Sequence, residues 1–136
     1  MLSIVVPIHN EELSILPLYD RLSTVLAAVG RAYEIVFVDD ASTDRSFELM
    51  ANLAHTDPRL KVVRLRRNFG QTPALAAGFD QAKGEIVIAM DGDLQHAPED
   101  IPALCASRWR CHSLRRFWRA ERECLPVRAG GLRPWR

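Results

Sequence analysis

The feature that most constrains the fold is a fourfold alternation of short apolar segments with helix-like segments in the first 104 residues. The apolar segments are rich in Val and Ile and have the length of buried β-strands; they cover residues 2–8, 34–40, 61–66 and 85–90. A helix starts at the acidic Asn10–Glu12 segment and stops at Gly30. Strand–helix alternation with short loops predicts an α/β fold, in which a mostly parallel sheet carries helices on both faces.

Capping residues predict where the next two helices begin. Ser42 or Thr43 is expected to cap the second helix, because a hydroxyl at this position can accept a free N–H of the first turn. Thr72 followed by Pro73 predicts the start of the third helix, with threonine as the cap and proline in the first turn.

Polar residues follow each of the four predicted strands. They are His9, Asn10 and Glu11, then Asp39 and Asp40, then Asn68, and finally Asp91, Gly92 and Asp93. Because ligands of open parallel sheets bind beyond the carboxyl ends of the strands, these side chains are expected to form one site. The chain has no GxGxxG segment and no Walker lysine, and the residues after the strands include no nucleophile with an adjacent base.

Asp91 and Asp93 flank a single glycine directly after the fourth strand. Two nearby carboxylates repel each other, so the pair requires open water or a cation. Carboxylate oxygens suit Mg²⁺ or Mn²⁺, which are commonly shared with phosphate oxygens of a substrate. Gly92 would let the backbone turn tightly and a bulky ligand approach. The alternative is an acidic turn in which the aspartates cap backbone amides.

Four segments together resemble the family 2 glycosyltransferases, in the order and spacing of that family over about residues 2–104. They are IVVPIHNEE, FVDDASTD, RNFGQTPALAAGFDQAKGE and IVIAMDGDLQHAPEDIP. The branch that they resemble is the polyprenyl- and dolichyl-phosphate sugar transferases. The resemblance implies a GT-A (Rossmann-like) fold, a UDP- or GDP-linked sugar donor, Mg²⁺ or Mn²⁺, and transfer to a polyprenyl phosphate with inversion. Such an acceptor is already anionic, so no dedicated general base is expected.

The same resemblance implies roles for individual residues. The nucleotide sugar is expected to contact Pro7, His9, Asn10, Glu11, Asp39, Asp40, Asn68, Gly70, Asp91 and Gly92. Asp91 and Asp93 match the metal-binding DXD motif and are the expected catalytic pair, with Gln95 of the DLQH extension assisting the metal. His9 stands where tyrosine is commoner, and a neutral imidazole can also stack on a base.

Residues 105–136 differ in composition from residues 1–104. They hold nine Arg, two Glu and every Cys and Trp, whereas residues 1–104 hold nine Lys and Arg against fifteen Asp and Glu. No family motif occurs in this second part, so we expect residues 1–104 to be the nucleotide-sugar-binding half of an incomplete domain. The remainder is expected to be an irregular basic tail produced by truncation or a frameshift. Less favoured alternatives are an interfacial helix around Trp109, Phe117 and Trp118 and a zinc site of Cys105, Cys111, His112 and Cys124.

Three rival functions remain open. The chain is either an active transferase or a non-catalytic nucleotide-binding fragment of a truncated or frameshifted one, and a receiver domain phosphorylated at Asp39 or Asp40 is a third possibility. No segment approaches the roughly 20 apolar residues that a membrane helix needs, and the N-terminus lacks a signal-peptide pattern. A cytoplasmic location is expected, with peripheral contact at the cytoplasmic membrane face as the alternative and no nucleic-acid partner.

Overall fold

The computed structural model describes residues 1–95, 97–106 and 124–127. Its strands are β1 (Leu2–Ile8), β2 (Tyr33–Asp39), β3 (Leu60–Leu65), β4 (Ile86–Ala89) and β5 (Cys124–Val127). Its helices are α1 (Glu12–Val29), α2 (Ser46–Thr56), α3 (Gln71–Gln81) and α4 (Ile101–Ala106), the last preceded by a 3₁₀ turn at Pro98–Asp100. In this described part, no helix is long and apolar enough to span a membrane.

The described strands form one sheet in the order β4-β1-β2-β3-β5. The first four are parallel, as predicted, with Leu2 of β1 opposite both Tyr33 of β2 and Ile86 of β4. Consecutive parallel strands separated by helices place all four carboxyl ends at the same edge. The polar residues that follow them therefore lie at this edge, which we call the carboxyl edge.

β5 was not predicted, because an irregular tail was expected at residues 105–136, whereas the structure forms a strand at Cys124–Val127. It runs antiparallel to β3, and Pro126 lies opposite Val63. Proline has no N–H to donate to a neighbouring strand, so Pro126 did not indicate a strand when the sequence alone was considered. It is tolerated in an edge strand such as β5. The alternative of an interfacial helix around Trp109, Phe117 and Trp118 lies outside the described residues, as do Cys111 and His112 of the zinc alternative.

Helices cover both faces of the sheet, so alternate residues of each strand enter two separate cores. On one face, side chains such as Ile4 and Phe37 pack with the buried residues of α1 and α2. On the other face, Val5 and Val38 pack against α3. Gly78 makes this second contact close, because a Cβ there would lie 2.3 Å from Val5 Cγ1.

The N-caps predicted for the second and third helices are wrong, whereas the predicted stop of the first helix is confirmed, with Gly30 as the left-handed C-cap of α1. α2 begins at Ser46 after Arg45, not at Ser42 or Thr43, and α3 begins at Gln71 after Gly70, ahead of Thr72. Gly70 has a φ of 95°, in the left-handed region that favours glycine. Ser42 is used elsewhere, since its hydroxyl accepts a hydrogen bond from a loop at the carboxyl edge.

The opposite edge of the sheet contains a buried charge network. The Glu34 carboxylate accepts hydrogen bonds from the Ser3 hydroxyl, the Lys61 ammonium group and the Lys83 backbone N–H. Burial by itself would raise the pKa of Glu34, but the hydrogen bonds from Lys61, Lys83 and Ser3 outweigh it and lower the pKa. This network fixes the β1–β2–β3 edge remote from the candidate site.

Candidate functional site

A cleft of about 370 Å³ opens at the carboxyl edge. Among the described residues, its lining includes most of the predicted site residues: Pro7, His9, Glu11, Asp40, Asn68, Gly70, Asp91, Gly92 and Asp93. Ile8, Gln71 and Ala74 complete the lining, whereas the predicted Asn10, Asp39 and Gln95 are not part of it. The structure thus brings the polar residues from four strand ends to one place.

The loop after β1 is fastened to the loop after β2. The backbone N–H groups of Asn10 and Glu11 donate to Ser42 Oγ at 3.0 Å and to Ser46 Oγ at 2.9 Å. In return, the Thr43 N–H donates to Asn10 Oδ1 at 2.8 Å. Asn10 has a φ of 52°, an uncommon backbone conformation that these contacts hold in place. Asn10 therefore does not line the cleft but holds the loop that carries the lining residues His9 and Glu11.

A second exchange ties the first turn of α1 to the start of α2. The Glu12 N–H donates to Asp44 Oδ2 at 3.3 Å, and the Arg45 N–H donates to Glu12 Oε2 at 3.3 Å. Burial of Asp44 opposes its charge, but hydrogen bonds from the Ser46 side chain and from the backbone of Ser46 and Glu12 outweigh it and lower the pKa of Asp44. An ionised Asp44 therefore caps the N-termini of both helices.

Asp40 connects the end of β2 to the start of α3. Its two carboxylate oxygens accept the Phe69 N–H at 2.8 Å and the Gly70 N–H at 3.0 Å. The side chain is buried, so these two bonds fix the turn at residues 68–70 in one position. Asp40 therefore shapes the cleft wall as well as lining it.

Asp39 is buried beside the cleft. Its Oδ1 accepts the Ser42 N–H at 3.1 Å, and Arg64 Nε lies 3.4 Å from Oδ2 without a hydrogen bond. The Arg64 guanidinium is stacked 4.3 Å from the centroid of the Phe47 ring. In this structure Asp39 supports the turn that carries Asp40 and Ser42.

His9 lies where three strand ends meet. Its Nδ1 is 2.9 Å from the Asp40 carbonyl oxygen, and its Nε2 is 3.2 Å from Asn68 Nδ2 and 3.4 Å from Asn10 Nδ2. His9 and Asn68 are exposed at the cleft, so both are available to a ligand.

The acidic turn after β4 forms another side of the cleft. Asp91 Oδ1 accepts a hydrogen bond from Gln71 Nε2 at 2.5 Å, and the exposed Asp93 accepts the Gln95 N–H at 3.0 Å. Gly92 is buried against β1, since a Cβ there would lie 2.4 Å from Ile8 Cδ1. Asp93 therefore does cap a backbone amide, as the acidic-turn interpretation predicts, while still facing the cleft.

The donor set of this turn fits a metal that is shared with a substrate. No cluster of three or more His, Cys, Asp or Glu that would hold an ion by itself occurs among the described residues. Mg²⁺ and Mn²⁺ are commonly held by one or two carboxylates, with phosphate oxygens and water completing the coordination. Asp91 and Asp93 can supply those carboxylates, and the exposed side chain of Gln95 lies two residues after Asp93.

Sequence reasoning missed Gln71, Asp44 and Ser46, and it gave Ser42 the role of a helix cap, whereas its hydroxyl accepts a hydrogen bond from the Asn10 N–H. Gln71 directly follows the Asn68–Gly70 turn, which was a usable signal for its position at the cleft. The serines lie four residues apart, on either side of Asp44, in a loop that also follows a strand end. This spacing indicates a polar loop but does not reveal which backbone groups it binds.

Comparisons with known proteins agree with this architecture. The family model for glycosyl transferase family 2 matches residues 3–107. The undecaprenyl-phosphate 4-deoxy-4-formamido-L-arabinose transferase of Pseudomonas aeruginosa (strain LESB58) is 44% identical over 124 residues, which are 90% of this chain and 37% of the relative. The protein of the same name from Pseudomonas paraeruginosa (strain DSM 24068 / PA7) is 48% identical over 105 residues, or 76% and 31% of the two chains. The chain thus spans about a third of the length of these curated relatives.

Two solved structures share the fold. S. aureus TarS 1-349 in complex with UDP-GlcNAc has a TM-score of 0.60 and 29% identity, covering 77% of this chain and 30% of that one. The mannosyltransferase PcManGT from Pyrobaculum calidifontis, in complex with GDP-Man and Mn²⁺, has a TM-score of 0.54 and 27% identity, covering 73% and 29%. These likenesses confirm the predicted GT-A fold. Together with the match over residues 3–107, they lead to one conclusion: the chain belongs to glycosyl transferase family 2.

Proposed function

We propose that this chain forms the donor-binding part of a glycosyltransferase that uses a nucleotide-diphosphate sugar and a polyprenyl-phosphate acceptor. The observation that carries the proposal is the position of Asp91 and Asp93 in the same cleft as His9, Glu11 and Asn68. Related proteins are named as undecaprenyl-phosphate sugar transferases, and similar structures hold UDP-GlcNAc or GDP-Man. A polyprenyl-phosphate acceptor would bring the protein to the cytoplasmic membrane face.

The cleft offers different chemistry to the two ends of the donor. The Asp91–Asp93 turn would face the diphosphate and, with Gln95, hold Mg²⁺ or Mn²⁺. When bound, the metal would neutralise the charge that develops on the departing diphosphate. His9, Glu11 and Asn68 would surround the nucleoside, and Asp40 would keep the Asn68–Gly70 turn in place.

The proposed reaction exchanges one bond at the anomeric carbon for another. The bond from this carbon to the diphosphate oxygen breaks, and the nucleoside diphosphate leaves with the electron pair. A bond to an acceptor phosphate oxygen forms on the opposite face, which inverts the configuration through an oxocarbenium-like state. Because the acceptor phosphate is anionic, the chain does not need to remove a proton from it. Its own contribution is to bind and orient the donor.

Calorimetric titration of the full chain tests the donor site. We expect UDP- or GDP-sugars to bind in the presence of Mn²⁺, and Asp93→Ala to reduce this affinity at least about tenfold, the loss typical of removing a charge-assisted contact. Asp80→Ala is a matched control, because Asp80 is an exposed aspartate on α3 that does not line the cleft. Folded protein without Mn²⁺-dependent affinity for any sugar nucleotide would overturn the proposal.

A transfer assay distinguishes the active enzyme from the non-catalytic alternative. An active enzyme transfers labelled sugar from its nucleotide to polyprenyl phosphate only when a divalent metal is present, and loses this transfer in Asp93→Ala. A nucleotide-binding fragment binds UDP or GDP and transfers no label. Binding without transfer would therefore support the proposed donor site but would exclude transferase activity for this chain.

A further inference from the structure

We infer that His9 is a positioning residue, held as the neutral Nδ1–H tautomer, which uses both ring nitrogens to join the ends of β1, β2 and β3. Only the face of its ring then remains to meet a ligand. The tautomer follows from hydrogen-bond geometry alone. What the ring face binds rests on the proposed function.

The proton on Nδ1 follows from its partner. The Asp40 backbone carbonyl oxygen, 2.9 Å from His9 Nδ1, has no hydrogen to donate. A hydrogen bond across this distance therefore requires Nδ1 to carry the proton. In a neutral imidazole, Nε2 must then be an acceptor.

The partners of Nε2 are consistent with this assignment and fix it independently. Nε2 faces the amide nitrogens of Asn68 at 3.2 Å and Asn10 at 3.4 Å. Neither amide can be reversed without loss, because Asn68 Oδ1 accepts the Gly70 N–H at 3.0 Å and Asn10 Oδ1 accepts the Thr43 N–H at 2.8 Å. Reversal would place an NH₂ group against a backbone N–H. Both amides therefore present donors to Nε2, which has to be unprotonated.

These bonds connect three separate strand ends through one ring. His9 follows β1, Asp40 follows β2 and Asn68 follows β3, and all three line the cleft. Because both ring nitrogens are occupied, the exposed imidazole has no free polar edge for a ligand and offers a flat π-surface instead. This surface suits stacking on a planar nucleobase, which does not depend on the hydrogen-bonding groups of the base. The family resemblance already places a base at His9; the occupied ring nitrogens add that this residue offers the base no hydrogen bond and so does not choose between uracil and guanine.

Nitrogen-15 NMR of the full chain without nucleotide tests the tautomer directly. Spectra recorded at mildly alkaline pH with ¹⁵N-histidine should show, for His9, a protonated Nδ1 and an unprotonated Nε2. The signals are assigned by their loss in His9→Phe. An Nε2–H tautomer, or rapid exchange between the two forms, would overturn the inference whether or not the chain binds a sugar nucleotide.

Asn68→Asp provides a variant of nearly the same shape in which a hydrogen-bond acceptor replaces the donor that faces Nε2. It replaces the amide donor that faces Nε2 with a carboxylate oxygen, so Nε2 of His9 should become protonated. His55 is an internal control, since it is exposed on α2 and does not line the cleft, and its signals should not change. An unchanged His9 spectrum in this variant would show that Asn68 does not determine the protonation of Nε2 and would contradict the inference.

UDP with Mn²⁺ is the probe for the ring face. His9→Phe keeps a ring but loses both links, so we expect about tenfold weaker UDP binding, as for the loss of one to two hydrogen bonds. His9→Ala also loses the stacking surface and should bind UDP more weakly still. Equal UDP affinity of wild-type protein and His9→Phe would refute the positioning role. Absence of UDP binding to wild-type protein would instead contradict the proposed function and leave the NMR result standing.

Discussion

Gln71 Nε2 lies 2.5 Å from Asp91 Oδ1, so the first residue of α3 holds the first carboxylate of the acidic turn. A donor to a metal-binding carboxylate orients that carboxylate and affects metal affinity. We expect Gln71→Ala to weaken Mn²⁺-dependent binding of a sugar nucleotide about tenfold, within the range typical of such supporting residues. Isothermal titration with and without Mn²⁺ measures this effect.

Thr72→Ala is the matched control for that experiment. Thr72 is the next residue of α3, is exposed and does not line the cleft, so its replacement should leave the affinity unchanged. If Gln71→Ala binds as tightly as wild-type protein, Gln71 does not orient Asp91 for the metal. Tighter binding by the variant would mean that Gln71 competes with the metal for Asp91.

Replacing Gly78 should destabilise the fold although it improves helix propensity. Alanine in place of glycine favours a helix by about 1 kcal/mol. A Cβ at Gly78 would, however, lie 2.3 Å from Val5 Cγ1 and 3.0 Å from Val38 Cγ2. These β-branched side chains are buried and have little room to move, so overpacking should cost about 1–3 kcal/mol and outweigh the propensity gain. Urea unfolding of Gly78→Ala and wild-type protein measures whether the free energy of unfolding falls or rises.

A second variant on α3 separates propensity from packing. Ala76→Gly changes the helix propensity in the opposite direction at a partly buried position. It should lower the free energy of unfolding by about 1 kcal/mol. Greater stability of Gly78→Ala than of wild-type protein would mean that α3 can move away from the sheet at little cost.

The Glu34 network should make stability depend on pH. Because folding lowers the pKa of Glu34, its contribution is fully present above the ordinary glutamate pKa of about 4.3 and is lost as the pH falls through the lower folded value. Glu34→Gln should reduce the free energy of unfolding at pH 7 by about 2 kcal/mol, since it leaves the partly buried Lys61 ammonium group without its partner. The variant should lose less stability on acidification than wild-type protein. Urea unfolding at several pH values from neutral to acidic tests both effects.

Glu85→Gln is the control for this pH dependence. Glu85 is an exposed glutamate immediately before β4, at the same edge of the sheet as Glu34. Its replacement should leave the acid part of the stability curve close to that of wild-type protein. The same acid dependence in Glu34→Gln and wild-type protein would exclude Glu34 as its source.

Ser46→Ala should loosen the loop after β1. The buried Ser46 hydroxyl accepts the Glu11 N–H at 2.9 Å, and its removal leaves this amide without that partner. We expect a loss of about 1–2 kcal/mol in stability, as for other lost helix caps. Hydrogen exchange of the Glu11 amide should accelerate. Unchanged exchange at Glu11 would show that Ser46 does not hold this loop.

The sequence was a good guide to elements and a poor guide to contacts. Apolar runs placed the strands within about one residue, for example 34–40 against Tyr33–Asp39, because burial on both faces leaves little freedom in composition. The Ser42 cap failed because the Ser42 hydroxyl accepts a hydrogen bond from the Asn10 N–H, 32 residues away in sequence. A local rule cannot anticipate such a tertiary partner.

The candidate site was predicted in the same uneven way. Polar residues after strands indicated the cleft, since parallel topology brings the strand ends together. Gln71 was missed because its partner Asp91 lies 20 residues further along the chain. Asp39 was predicted to contact a ligand and is buried beside Ser42 and Arg64 in the structure, so its contact with a ligand stays a prediction. Nothing in two consecutive aspartates indicates which of them faces the cleft.

The strand order has a consequence for synthesis on the ribosome. Among the described strands β1 is translated first, but it lies between β2 and β4. The last of the four parallel strands, β4, begins 78 residues after β1 ends. The links among His9, Asp40 and Asn68 involve only residues that emerge before β4. The nascent chain can therefore complete the wall around His9 before it exposes Asp91 and Asp93, so any metal that the acidic turn holds would enter a pocket whose other walls are already built.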